Sequence, residues 1–237
     1  MMRNQSLHGY LIHSRKYRER SYIVHLFTQE YGRIDGVLRQ VPPPQYQPIR
    51  VQASGKSELK NFSQLETMHQ PVFFAGDAFF AGFYLNELLL RLCPLEEPMP
   101  ETFAQYHVAV AQLQQLSAHI QPDIFLRQIL RRFEHVLLQE LGYALDFQYD
   151  AQRELIQPER HYQFHPSEGF VPVYAQTHAA LSGHLIQSMQ DALSEPEFNA
   201  QQLQLLGKLY RQMITSLLGD RPLKSRQLWI QHLPTQS

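Results

Sequence analysis

The residues best suited to do chemistry in this sequence are cations interleaved with aromatics. Arg15-Lys16-Tyr17-Arg18 and Arg20 fall within six residues, just ahead of Tyr22. Arg33 and Arg39 flank the next apolar run, and Lys56 and Lys60 sit near a later one. Guanidinium and ammonium groups neutralise phosphates, and ring faces such as those of Tyr17, Tyr22 and Tyr31 stack on bases. A strand surface carrying ordinary solubilising charge has the same composition. A second basic stretch, Lys208, Arg211, Arg221, Lys224 and Arg226, lies near the C-terminus. Between them, Arg127 and Arg131 stand four apart on one helical face, where like charges repel by a few tenths of a kcal/mol. Either an anionic partner or local pairing of Asp123 with Arg127 and Arg131 with Glu134 relieves that repulsion.

Other chemistries find little support. Ser54-Gly55-Lys56-Ser57 resembles part of a phosphate loop, but the required earlier glycine is replaced by Arg50 and no helix is expected after it. Twelve histidines include no His-Glu-x-x-His, and His161 and His165 fall in an expected hairpin. There is no Gly-x-Ser-x-Gly, and Glu96-Glu97 between Pro94 and Pro98 reads as a solvated turn. The single cysteine, Cys93, forms no disulfide within the chain and no four-cysteine zinc site. That cysteine usage suits a reducing cytoplasm. The N-terminus lacks the h-region of a leader, and no stretch is long and apolar enough for a membrane span. The expectation is a soluble, cytoplasmic protein that is not an enzyme and holds neither metal nor cofactor.

Charge is segregated. The formal net charge of −1 divides into +5 for residues 1–75, −10 for 76–204 and +4 for 205–237. Basic ends flanking an acidic middle point to an anionic partner at the ends, with nucleic acid the leading candidate.

The elements that must position these residues change character once. Residues 7–75 read as short strands: Tyr22–Thr28, Ile34–Leu38, Ile49–Ala53, Ser57–Met68 and Val72–Phe74. A five-stranded OB-fold barrel fits this length, with a small SH3-like barrel as the alternative. Four prolines between Pro42 and Pro48 forbid a central strand there and imply an exposed loop. From Asp77 the period is helical, giving a 1–76 barrel domain and a 77–237 helical domain, α+β overall. Helices are expected from an Asp77 cap to about Leu92, over 101–118, from Pro122 to a stop at Leu141-Gly142, over 177–193, over 199–218 with Asn199 as cap, and over 225–232. A short hairpin is expected near 160–174.

Taken together, these residues resemble RecO, the bacterial family of recombination mediators and strand-annealing proteins. The resemblance runs from about Tyr10 to Leu233. It rests on Arg15…Tyr17…Glu19 with Leu26-Phe27-Thr28…Gly32-Arg33; on Tyr84-Leu85-Asn86-Glu87-Leu88-Leu89; on Leu130-Arg131-Arg132-Phe133-Glu134 with Leu141-Gly142-Tyr143; on Glu168-Gly169-Phe170; and on Gly219-Asp220-Arg221-Pro222-Leu223-Lys224-Ser225-Arg226.

The resemblance implies an OB-fold with a helical C-terminal domain, binding of single- and double-stranded DNA (ssDNA and dsDNA), and strand annealing. It further implies partnership with RecR, docking of the acidic C-terminal tail of the single-stranded-DNA-binding protein (SSB), and help in loading RecA. DNA contacts are then expected at Arg15, Lys16, Arg18, Arg20, Arg33, Arg39, Lys56, Lys224 and Arg226. SSB-tail contacts are expected at Arg127, Arg131 and Arg132. Asn86 and Glu87 are expected to hold the interior together. Two departures stand out. Asp150 occupies a position where zinc-bearing relatives often have cysteine, and Gln40-Val41-Pro42-Pro43-Pro44 replaces a more basic loop. An adaptor that docks SSB with little DNA affinity is the competing reading, and a nuclease would require metal-dependent DNA turnover.

Overall fold

The computed structural model describes residues 2–174, 180–219 and 221–232. Five strands, β1 (Met2–Arg18), β2 (Ser21–Thr28), β3 (Gly32–Leu38), β4 (Pro48–Gly55) and β5 (Lys60–Thr67), close into an OB-like barrel in the order β1-β2-β3-β5-β4. β3 alternates strictly, with Gly32, Ile34, Gly36 and Leu38 inward and Arg33, Asp35 and Val37 outward. Inward residues Leu7, Leu11, Val24, Leu26, Ile34, Leu38, Ile49, Val51, Phe62 and Leu65 fill the barrel.

The basic stretch expected ahead of the first strand is instead the end of a 17-residue β1. Irregularities between Leu11 and His13 and between Lys16 and Arg18 bend this strand, so that it pairs with both β2 and β4. The expected strand Val72–Phe74 does not form. Closure leaves no free edge for it to join. The proline segment is the β3–β4 connection, as expected.

β2 lacks alternation because its outer face is also covered. Phe27 lies 5.8 Å from Phe103 and 6.2 Å from Tyr106, and Tyr10 lies 5.0 Å from Tyr106. Phe103 and Tyr106 belong to α2 (Pro100–Gln114), which follows α1 (Gly76–Leu92). Asp77 does not cap α1; Ala75 does, with no side-chain bond, and Asp77 sits in the first turn, where its charge favours the helix dipole. α2 stops at Gln114, and a separate 3-10 turn, Leu116–Ala118, completes the segment expected as one helix. α3 (Pro122–Glu140) ends as expected, at Gly142 with φ +83°. The Tyr143 amide bonds back to the Leu138 carbonyl at 2.7 Å, and glycine alone takes that φ without strain.

The chain forms two compact units, Met1–Leu137 with Arg221–Ser237, and Leu138–Asp220. The change from strand to helix near residue 76 therefore lies inside the first unit. The second unit contains an antiparallel hairpin, β6 (His161–His165) with β7 (Gly169–Val173), near the position expected. It gains a third strand, β8 (Leu181–Ser182), from residues expected to be helical. Ser182 instead caps α4 (Gly183–Ala192) through its hydroxyl; residues 175–179 lie outside the described ones. α5 (Ala200–Leu218) opens with an Asn199–Gln202 capping box. α6 (Lys224–His232) belongs to the first unit. Among the described residues no helix is long and apolar enough to cross a membrane.

Candidate nucleic-acid interface

The β1–β2 hairpin carries the densest free charge. Arg15, Lys16, Arg18 and Arg20 are all exposed, as is Tyr17 at 46%, with the Arg18 guanidinium 5.1 Å from the Tyr17 ring centre. Pairing of Lys16 with Tyr22 and of Tyr22 with Leu38 places exposed Arg39, just past β3, at the same end of the barrel. Lys56 is exposed on the β4–β5 loop. Tyr22 and Tyr31 are less available, because both pack against the barrel core.

The C-terminal basic segment is brought to this unit by two side chains of α1. Buried Glu87 accepts hydrogen bonds from the Lys224 amide (2.9 Å), the Ser225 amide (2.9 Å) and the Ser225 hydroxyl (2.7 Å), thereby capping α6. Arg91 donates to the carbonyls of Arg221 (2.5 Å) and Pro222 (3.0 Å). Lys224 is left exposed. Asn86 accepts from the Tyr106 hydroxyl at 2.6 Å, so the interior role expected of Asn86 and Glu87 is visible in their contacts.

His13 senses one cation from each basic stretch, Arg15 and Lys224. Its pKa is lowered below 6.5 by burial first, and then by the charges of His25, Arg15 and Lys224. Its Nδ1 is buried with no hydrogen-bond partner. Next to it, His25 Nδ1 lies 2.8 Å from Asp35 Oδ1, and the two imidazole rings are 5.4 Å apart. Burial works to raise the Asp35 pKa, but hydrogen bonds from His25 and Arg33 outweigh it and hold the carboxyl low.

A histidine depressed in the folded state binds fewer protons there than in the unfolded chain, so stability is present above about pH 6.5 and is lost as pH falls through the lowered value. Denaturant titrations at pH 7.5 and 5.5 are expected to show this loss, and His13→Gln is expected to reduce it, the remainder coming from His135, which burial and then Arg132 also hold low. An unchanged pH slope in that variant would remove His13 from the account.

Several expected contacts are committed elsewhere. Arg33 donates to the carbonyls of Leu90 (2.6 Å) and Cys93 (3.4 Å) at the end of α1 and pairs with Asp35 at 3.0 Å. It ties β3 to that helix and closes its terminus. Lys60 is buried, 2.6 Å from Glu96. Glu96 is therefore a structural partner rather than a solvated turn residue, and it sits at φ +58°. Arg226 is half-buried, with its guanidinium 5.6 Å from the Tyr84 ring centre.

On α3, Arg131 bonds Glu134 at 2.8 Å, the local pairing foreseen as one of two readings. The Tyr84 hydroxyl donates to the same Glu134 oxygen at 2.5 Å. Arg131 is 14% exposed and its Nε is buried without a partner. Arg127 is exposed and Arg132 half-buried.

In the second unit, Lys208 and Arg211 are exposed on α5, so the basic C-terminal stretch is divided between units. Asp150 accepts from the amides of Gln152 (2.8 Å) and Glu154 (3.0 Å), closing its loop with backbone bonds. Among the described residues no three His, Cys, Asp or Glu side chains gather as a metal site.

Sequence reasoning missed the His13–His25–Asp35 set. Alternation along β3 could have placed Arg33 and Asp35 on one face, but the histidines join them only through the β1–β2–β3 register.

Comparison with known proteins agrees with this architecture. The Recombination protein O N terminal model matches residues 2–71, and the Recombination protein O C terminal model matches residues 74–227. The DNA repair protein RecO of Pseudomonas putida (strain W619) is 38% identical over 230 residues, covering 93% of this chain and 95% of that one. RecO of Tolumonas auensis is 34% identical over 234 residues, covering 93% of each. RecO of Burkholderia pseudomallei (strain 1710b) is 32% identical over 231 residues, covering 94% of this chain and 82% of that one. A barrel and a helical region each matched by its own family model, with relatives aligned over nearly their whole length, mean that this chain belongs to the RecO family of DNA repair proteins.

Proposed function

We propose that this chain is a non-enzymatic recombination mediator of the cytoplasm and nucleoid that binds ssDNA and dsDNA and anneals complementary strands. The observation that carries this is the cluster of exposed cations, Arg15, Lys16, Arg18, Arg20 and Arg39, that the β1–β2–β3 register gathers at one end of the barrel. Arg15, Lys16, Arg18, Arg20 and Arg39 line one end of the barrel, Lys56 stands on the β4–β5 loop, and Lys224 approaches from α6. In OB-folds the β1–β2 and β4–β5 loops flank the nucleic acid, and in this chain α1 and α2 cover much of the outer face of β2 and β3, which leaves the loops as the accessible part. Here those loops present Arg20 and Lys56. Arg33 is engaged with the end of α1 and with Asp35, and Arg226 with the Tyr84 ring, so their part in this reading is to brace the elements that carry the exposed cations. Two strands held on one cationic surface have their mutual repulsion screened, which is the physical requirement for annealing.

We assign the acidic SSB tail to α3, where exposed Arg127 can meet carboxylates beside Arg131, one turn on, whose guanidinium Glu134 holds in place; half-buried Arg132 is carried by the same helix. RecR is the expected protein partner, and RecA loading on SSB-coated DNA the expected outcome. The test is annealing of SSB-coated complementary oligonucleotides. Acceleration by the protein, declining as salt rises, is expected; equal rates with and without it would overturn the proposal. Tail binding with no salt-dependent DNA affinity would favour a protein-interaction adaptor instead.

A further inference from the structure

A groove of about 480 Å³ opens on the barrel where β3 and β5 part, lined chiefly by Arg39, Gln40, Asn61, Ser63 and Gln64 over Phe62. β3 and β5 are parallel and share only three paired positions, Gly36 with Lys60, Val37 with Asn61 and Leu38 with Phe62. Beyond Leu38 the strands diverge, and the Gln40 side chain spans the gap to the Leu65 carbonyl at 3.1 Å. The seam is thus a place where ladder hydrogen bonding ends and side-chain amides take over.

Three features give this groove a chemical preference. Its lining contains no acid, and its one charge is Arg39. Its polar groups are mostly amides and hydroxyls, which both donate and accept, as the edge of a nucleobase requires. Gln64 is held at φ +50°, in the left-handed region, beside the irregularity between Arg50 and Gln52 that breaks the β4–β5 register. Non-glycine residues persist there only where the surroundings enforce it, and such strain concentrates at binding sites.

Position adds a fourth argument. The register runs Lys16–Tyr22–Leu38–Phe62 across β1, β2, β3 and β5 as one cross-strand row. Three strand spacings, about 14 Å in all, separate the basic hairpin from the groove. An extended single strand laid on Arg15, Lys16, Arg18 and Arg39 would reach the groove within a few nucleotides, well inside the span an OB-fold covers.

We infer that the groove between the ends of β3 and β5 receives an unstacked base of single-stranded nucleic acid, with Asn61 and Gln64 meeting its edge and Arg39 its phosphate or its face. The inference rests on the DNA-binding reading above. It assigns a division of labour: the hairpin cations grip any backbone, and the groove admits only a base free of its partner. Duplex DNA, whose bases are paired and stacked, gains nothing from the groove.

The test is an Asn61→Ala/Gln64→Gly double variant of the full chain, in which glycine relieves the left-handed strain so that folding is retained. Fluorescence anisotropy with ssDNA and with dsDNA, each at two salt concentrations, is the readout. An approximately tenfold loss on ssDNA is expected, with an unchanged salt slope and unchanged duplex affinity. An oligonucleotide carrying 2-aminopurine should brighten on binding the unaltered chain and fail to do so with the variant. Gln64→Asn keeps an amide at a position asparagine tolerates and should retain most of the affinity.

Unchanged ssDNA affinity in the double variant, or equal losses on single strand and duplex, would overturn the groove assignment while leaving the cationic surface standing. If the unaltered chain binds neither form, the DNA-binding reading fails and the groove assignment fails with it.

Discussion

Replacing Glu87 with alanine should destabilise the first unit by about 3 kcal/mol and release α6 from α1. Glu87 is only 7% exposed. Its two oxygens accept from two backbone amides and one hydroxyl at the start of α6, all within 2.9 Å. Charge-assisted bonds of this kind contribute about 1.5–3 kcal/mol each to a local ledger, though not additively. Alanine leaves the Lys224 and Ser225 amides and the buried Ser225 hydroxyl without their acceptor.

A natural reporter stands in the right place. Trp229, the only tryptophan, lies on α6 with its ring stacked 6.1 Å from Phe80 of α1. A red shift in its emission should precede global unfolding in Glu87→Ala, and urea denaturation should give the loss in stability. Glu87→Gln keeps an acceptor oxygen but turns an amide donor toward a donor, and should fall between the two. A variant whose emission and midpoint match the unaltered chain would show that α6 docks by other means. On the DNA-binding reading proposed above, the same release should also lower DNA affinity, because it would free exposed Lys224 from the position near His13 that α6 gives it.

This dependence on Glu87 shows what could and could not be read from the chain. Barrel, helical body, hairpin and the caps at Asn199 and Gly142 were legible, because each is written in local periodicity or in a residue with a special backbone conformation. β8 was not, since two residues carry no period and their pairing with β6 is a tertiary fact. Nor was the length of β1, because a strand bent by bulges, buried on both faces at Gly9–Ile12 and exposed towards its ends, shows no clean alternation.

The basic residues were legible as a class but not individually. Charge counts could not distinguish Arg15, which faces solvent, from Arg33, which closes the end of a helix 57 residues later in the chain. Lys56 and Lys60 differ by four positions, yet one is exposed and the other buried on Glu96. Partners far away in sequence decide such cases. The two ends of the chain carried a stated excess of positive charge, but only the contacts of Glu87 and Arg91 explain how part of the second excess reaches the first.

The second large effect should come from Arg15, Lys16 and Arg18 changed together to alanine. All three are exposed, and none is engaged in an ion pair at the barrel surface among the described residues. Their removal should alter stability by no more than about 0.5 kcal/mol. If each neutralises one phosphate, the slope of log affinity against log salt should fall by about 2 units on ssDNA and about 2.7 on dsDNA. At low salt the affinity loss should reach about a hundredfold and should shrink as salt rises, because each lost contact is a lost counterion release.

Arg50→Ala supplies the control. Arg50 lies on the barrel too, but it is paired with Glu66 at 2.7 Å, with 49% and 59% of the two side chains exposed. Such a pair contributes little to the fold and offers little net charge to DNA. An equal loss in Arg50→Ala and in the triple variant would mean that binding follows total charge rather than this surface. A triple variant with an unchanged salt slope would remove the β1–β2 hairpin from the interface, and the adaptor reading would then account better for the chain. A steep loss confined to the triple variant places the phosphates on the β1–β2 hairpin.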